Sequence, residues 1–303
     1  MKNTLIYFYN IYVDNISKIN NDYYFLYNGN NYIVTIFCRN LDEAVYIYNL
    51  NKDMLNDGTN TYEIIPCKDN SITFYFESNY YILMRMPNFK NRLVTIDDIL
   101  LFRYVPNDEK LILGLNKSSW NIYWENRIDY HEKQFSEIEK KYPVIRDSIN
   151  FYIGLWENAI SYYNDNINFI IPKEVVHKRV GSNTDLLSFY NPLNLIIDYK
   201  ERDISEYLKS YVLNENFTKN KIISLLDRLS LDKERALILI TRTMFPSIYF
   251  DIYEDIILDN RDENDLLEVI NKRKNYITLL NILFKYYSKY NIPLVEWILK
   301  EDN

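Results

Sequence analysis

The chain has 303 residues, 48% of them hydrophobic and 25% charged, and a net charge of −7 from 35 Lys and Arg against 42 Asp and Glu. That length can bury a sizeable core in two lobes, and that composition excludes wholesale disorder. The acidic balance argues against a general nucleic-acid binder, which would carry a basic stripe.

The N-terminal stretch MKNTLIYFYNIYVDNISKIN is apolar in places but broken by Asn10, Asp14 and Asn15, without a small-residue cleavage site. It reads as a strand or amphipathic segment rather than a signal peptide. DYYFLYNGNNYIVTIFC holds two β-rich runs around Asn28, Gly29 and Asn30, which is hairpin chemistry. NLDEAVYIYNLNKDML has helical spacing at Leu41, Ala44, Val45, Tyr48 and Leu55. SITFYFE and YYILMRM are two further strands split by Ser78 and Asn79, and Pro87 stops the second. The predicted order is strand, strand, helix, strand, strand within residues 1–87.

From 88 to 303 the pattern is mostly helical. INFYIGLWENAISYY places Ile149, Tyr152, Ile153, Trp156, Ile160 and Tyr163 on one face. FII and LNLII, within 168–198, suit a short strand pair. Asp232 can cap a helix through KERALILITRTMF, whose ALILI run has the look of a buried helix. Asp262, with Asp265 three residues on, opens one helix carrying Leu266, Ile270, Ile277, Leu280, Phe284 and Tyr287. Pro293 ends it before a short segment with Trp297. No run approaches the roughly 18 apolar residues of a membrane span. A β-rich lobe with one helix (1–87), then a larger helical lobe (88–303), is the α+β layout of a bilobal protein-kinase-like fold. Cys38 and Cys67 are the only cysteines, too few for a disulfide framework, and with His131 and His177 they give no metal-ligand spacing. A reducing, intracellular setting is expected. Thirty tyrosines against five glycines fit an A/T-rich codon bias, or a Tyr-rich surface used in assembly or cross-linking.

Several stretches carry a resemblance. YIGLWENAISYY (152–163) resembles the GLxENAI helix of the spore-coat kinase-like family, the CotS and YutH group, itself similar to aminoglycoside phosphotransferases and choline kinases. WENRIDYHEKQF (124–135), VVHKRV (175–180), LIIDYKERDISEYL (195–208) and MFPSIYFDIYEDI (244–256) follow the YutH-like branch in order, as do the strands of TYEIIPCKDNSITFYFESNYYILMRM. The match spans about Thr61 to Ile256. It implies an aminoglycoside phosphotransferase-like fold and a place in or near the spore coat of a spore-forming bacterium, after synthesis in the cytoplasm. Other coat proteins would be its partners, with no nucleic acid and no membrane span. Fold alone does not imply activity.

Phosphoryl transfer needs a cation on the phosphates, carboxylates for Mg²⁺ and a carboxylate facing the acceptor. Against that pattern the third strand, NYIVTIF, has Thr35 where the phosphate lysine would stand, with Arg39 the nearest cation. Glu43, the carboxylate that would pair with such a lysine, is then expected to be a solvated helix residue. The loop pattern H-G-D-x-H-x-x-N keeps His177, but Arg179 stands at the catalytic Asp, Gly181 at the second His and Thr184 at the metal-binding Asn, with Asn183 one residue short. A guanidinium, with a pKa above about 12, cannot accept the acceptor's proton. Asp198 falls where the Mg²⁺-binding Asp would be, as a metal or cofactor candidate or a cap on the following turn; Asp203 is expected to anchor the loop to its helix. Lys178 and Arg179 could bind an anion or a partner, or be a solvated loop. His131 reads as a surface histidine. The expectation is therefore a pseudokinase with no cofactor expected, ATP and Mg²⁺ binding being the alternative. The alternatives are an active small-molecule phosphotransferase using Asp185 or Asp198, and an unrelated soluble interaction protein.

Overall fold

The computed structural model describes residues 1–138, 140–214, 217–258 and 260–300. A first helix, α1 (Lys2–Tyr9), is followed by β1 (Ser17–Ile19), β2 (Asp22–Tyr27), β3 (Asn30–Ile36), α2 (Glu43–Asn56), β4 (Glu63–Ile65), β5 (Phe74–Phe76) and β6 (Asn79–Arg85). The strands form one antiparallel sheet in the order β1-β2-β3-β6-β4, with β5 also on β6. The N-terminal segment is thus a helix, and β1 and β4 are additions to the four expected strands. Their three-residue length left no alternation to read.

Two of the three hairpins turn through left-handed pairs. Asn28 and Gly29 have φ of 48° and 75°, and Tyr27 faces Asn30 across the turn. These are the positive dihedrals of a type I′ turn, whose twist matches the strands. The β5–β6 turn falls on Glu77 and Ser78, φ 45° and 67°, one residue earlier than expected. The period of two sorts the sheet's faces. Ile33, Ile82 and Met84 pack towards α2, whereas Val34, Tyr81 and Leu83 pack under α1 with Leu5, Tyr23 and Phe25.

The buried face of α2 is Ala44, Ile47, Leu50, Asn51 and Met54; the predicted Leu41 and Val45 are exposed. Asn51 explains the rotation. Its Nδ2 donates to the Tyr62 carbonyl at 2.7 Å, and its Oδ1 accepts from the Ile64 amide at 3.0 Å. A polar side chain so bonded belongs inside, and apolar spacing passes it over.

The rest is helical: α3 (Ile96–Leu101), α4 (Glu109–Leu115), α5 (Trp120–Ile138) and α6 (Pro143–Asn166), then β7 (Glu174–His177), α7 (Leu186–Phe189), β8 (Leu195–Asp198) and α8 (Glu201–Tyr211). Next come α9 (Lys219–Leu229), α10 (Lys233–Met244), α11 (Ser247–Ile257), α12 (Leu266–Asn271), α13 (Arg273–Tyr287) and α14 (Glu296–Lys300). Asp232 caps α10 by accepting from the Arg235 amide at 2.8 Å, and Ala236–Ile240 are all buried, as predicted. On α6 the buried face runs through Leu155, Ala159 and Tyr162 as well as Ile149, Tyr152 and Trp156. β7 and β8 pair antiparallel, but β7 is EVVH rather than FII, and Ile170 is exposed. The single helix expected after Asp262 is two, because Lys272 leaves helical geometry (φ −95°, ψ 8°), and Asp262 caps a 3₁₀ turn ahead of them.

Candidate functional site

The β7–β8 pair brings both ends of the suspected loop together, joining His177 to Leu195 and Glu174 to Asp198. His177 is fully buried. Its Nδ1 lies 2.7 Å from Asp203 Oδ2, its Nε2 lies 2.9 Å from the Phe189 carbonyl oxygen, and its amide donates to Asp203 Oδ1 at 2.9 Å. The ring also stacks on Phe189 at 4.1 Å. Both nitrogens are engaged, so Asp203 anchors the loop as expected and His177 is held as a strut.

Asp198 ends β8 with no exposed surface. Its Oδ2 accepts from Trp120 Nε1 at 2.9 Å and Arg202 Nη1 at 2.8 Å, and its Oδ1 accepts from the Tyr199 amide at 2.7 Å. Burial pushes this carboxyl above the usual carboxylate range, against Arg202 and Trp120, which favour the anion. Arg202 also reaches across the loop, donating from Nε to the His177 carbonyl and from Nη2 to the Lys178 carbonyl. It therefore ties the start of α8 to the residue after His177. The sequence pattern placed it only inside a motif and gave it no role.

Arg179 leaves the loop towards α11. Its Nη2 donates to Asp251 Oδ1 at 2.7 Å and its Nε to Oδ2, a bidentate fork, while Nη1 donates to the Lys178 carbonyl. Thr184 closes the loop: its hydroxyl oxygen accepts from the Gly181 amide at 2.8 Å, and its carbonyl accepts from the Val94 amide. A Cβ on Gly181 would lie 2.7 Å from Ser210 Oγ and 2.8 Å from Asn183 Oδ1, which is the physical need for glycine there.

On the sheet side Thr35 of β3 pairs with Ile82 of β6, on the same face as Ile33. Arg39 is the cation from this side, and it is occupied. Its Nε donates to Glu43 Oε2 at 2.6 Å and its Nη1 to the Leu195 carbonyl at 2.6 Å. Lys117 Nζ reaches Glu43 Oε1 at 3.3 Å from the far wall. Glu43 is therefore no solvated helix residue. Burial opposes its charge, yet Arg39 and Lys117 outweigh burial and hold its pKa below the ordinary value. Arg39 and Glu43 are four residues apart at a helix start, a spacing that could have suggested the pair; nothing local signals Lys117.

A cleft of about 550 Å³ is lined by Lys117, Trp120, Lys178, Arg179, Arg202 and Arg242, with Asp251, Glu254 and Asp255 of α11; Thr35, Arg39 and Glu43 are not in its lining. Asp185 caps α7 instead of facing this cleft's lining, accepting from Ser188. His131 is a second correction: it is buried against Trp156, Phe250 and Tyr253, with Nε2 3.2 Å from Glu254 Oε1. Polar neighbours in sequence hid the inward face of α5. Among the described residues, no group of three or more His, Cys, Asp and Glu side chains is placed to hold a metal ion, and no helix is long and apolar enough to cross a membrane.

The family profile described as "Spore coat putative kinase YutH" matches residues 2–281, well beyond the 61–256 of the sequence resemblance. No curated protein matches. Among solved structures, an aminoglycoside phosphotransferase from Alicyclobacillus acidocaldarius superposes with a TM-score of 0.62 at 8% identity, covering 90% of this chain and 92% of that one. A spectinomycin phosphotransferase, in complex with ADP and spectinomycin, gives 0.57 at 13% identity over 93% and 96% of the two chains. An amicoumacin kinase gives 0.55 at 12% identity, over 92% of each. The fold is therefore the kinase-like fold of aminoglycoside phosphotransferases, and the reading as an unrelated interaction protein falls.

Proposed function

The chain belongs to the YutH family of spore-coat kinase-like proteins, and from that premise we propose that it is a catalytically inactive, partner-binding component of spore-coat assembly. The observation that carries this reading is Arg179. At the centre of the loop, where transfer needs a carboxylate to take the acceptor's proton, stands a guanidinium clamped by Asp251. A positioned base contributes roughly 10²–10⁴-fold to rate, and guanidinium cannot act as one.

Two further features support the reading. Thr35 brings no cation to the phosphates from β3, and Asp198 is wholly buried with both oxygens engaged. The residues present do not fit a Mg²⁺–nucleotide, so no cofactor is proposed. Other coat proteins are the proposed partners and the spore coat the proposed location.

One observation favours a second reading, an active small-molecule phosphotransferase. Lys117 meets Glu43 at 3.3 Å, so the α2 carboxylate has a lysine from another part of the chain. Incubating the purified protein with Mg²⁺, γ-labelled ATP and candidate acceptors separates the two. No transfer is the expected outcome; transfer that Asp198→Ala abolishes would establish the second reading instead.

A further inference from the structure

Lys178 has a fixed backbone and an ammonium left over. Its amide donates to the Asn194 carbonyl at 2.8 Å, and its own carbonyl accepts from Arg202 Nη2 and Arg179 Nη1, both at 2.9 Å. Its Nζ makes no hydrogen bond or ion pair among the described residues, although the side chain is half-buried in the cleft.

The charges around it do not balance. Arg39 and Lys117 lie close enough to act on it, and the one carboxylate acting with them is Glu43, already shared between those two cations at 2.6 and 3.3 Å. Three cations thus surround one anion. On the opposite wall Asp251 is taken by Arg179 and Glu254 by Arg127 and His131, while Asp255 lines the same wall without an ion pair among the described residues. On the floor, Arg202 is paired with Asp198 and Arg242 with Glu206. Burial, with Arg39 and Lys117, brings the Lys178 ammonium down to about 8, so its charged form is held at a cost that an arriving anion would relieve.

We infer that Lys178 and Lys117 form a binding site for a phosphomonoester dianion in this cleft. Around Lys178 itself, Arg39, Lys117 and Lys178 exceed Glu43 by two positive charges, with Asp255 on the far wall, and a terminal phosphoryl group offers three acceptor oxygens that two lysines can share. The 550 Å³ of the cleft exceeds a phosphate and leaves room for the group that carries it. Arg179, the more obvious base in the sequence, is committed to Asp251 and is not part of the site. The inference rests on the non-catalytic reading, because it treats the cleft as holding a phosphoryl group rather than transferring one.

Calorimetric titration of the full chain with O-phosphoserine, inorganic phosphate and Mg²⁺-free ATP tests it, with serine as the blank. Phosphoserine and phosphate are expected to compete for one site. Lys178→Met and Lys117→Met should each weaken that binding by about tenfold or more, whereas Lys52→Ala on the outer face of α2 should not. If ATP competes as well, a nucleotide's phosphoryl group shares the site; if it does not, the source is of the phosphoserine class, and either result upholds the site. Lys178→Arg, which keeps the charge, should retain part of the affinity and guards against a folding defect.

Two readouts sharpen the outcome. Phosphate should protect Lys178 from amine acylation at pH 8, and binding should fall as pH rises through about 8, where Lys178 loses its proton beside Arg39, Lys117, Glu43 and Cys38. Binding that is absent, or unaltered in both lysine variants, overturns the inference. Label transfer from ATP in the same preparations would overturn the non-catalytic reading instead, so the two failures are distinguishable.

Discussion

At residue 177 an imidazole is gripped at both nitrogens, by the Asp203 carboxylate and by the Phe189 carbonyl. A histidine in that state shapes a loop and has no nitrogen left for chemistry. Removing either partner strands a buried polar group, and such losses cost about 1–3 kcal/mol or more each. His177→Ala and Asp203→Ala should each lower unfolding stability by about 2–4 kcal/mol, and the double variant should lose clearly less than their sum, because both delete one network. Urea denaturation of the four proteins measures this; fully additive losses would mean that the two residues act separately. The same scale shows what motif spacing could and could not say. It marked His177, Arg179 and Asp198 as positions of interest, and their identities alone fixed which ones lack a carboxylate. It could not show that Trp120 and Arg202 cover Asp198, since Trp120 is 78 residues away along the chain.

Among the elements, those set by local chemistry were legible and those set by packing were not. The Asn28–Gly29 hairpin, the Asp232 cap and the buried 236–240 run follow from dihedral preference, one hydrogen bond and a continuous apolar stretch. The buried face of α2 did not, because Asn51 earns its place through two backbone partners beyond the helix. The β5–β6 turn is the case where sequence and geometry disagree most. Glu77 and Ser78 both hold positive φ, which side chains bearing a Cβ resist. Replacing the pair by Asn-Gly (E77N/S78G) should stabilise the chain by about 1 kcal/mol, since that dipeptide is suited to a type I′ turn. A rise in Tm is the expected result of thermal melts, and a fall would contradict the turn geometry.

For the whole molecule, the contacts across the cleft matter most. Arg39 runs from the sheet side to the Leu193 and Leu195 carbonyls, Lys117 closes on Glu43, and Thr61 donates to the Tyr190 carbonyl. Arg39→Ala would withdraw the best-buried of these cations and leave Glu43 with Lys117 alone. The expected loss is about 2–4 kcal/mol, with faster amide hydrogen exchange at Lys178, whose amide bonds to Asn194 beside the released carbonyls. Unchanged exchange there would show that Arg39 does not brace β8. The sequence by itself determined the secondary elements with strong local signals, the order of sheet before helices, and the residue types along the loop, because those depend on neighbours within a few positions. Tertiary structure alone decided the long-range partners: Arg179 with Asp251, Lys117 with Glu43, and the Trp120 N–H on Asp198, whereas Arg39–Glu43 and Asp198–Arg202 are four residues apart along the chain. Those long-range pairings depend on burial and on distances between residues that the fold, and not the chain, brings together, and in the cleft they leave Lys178 without an ion pair among the described residues.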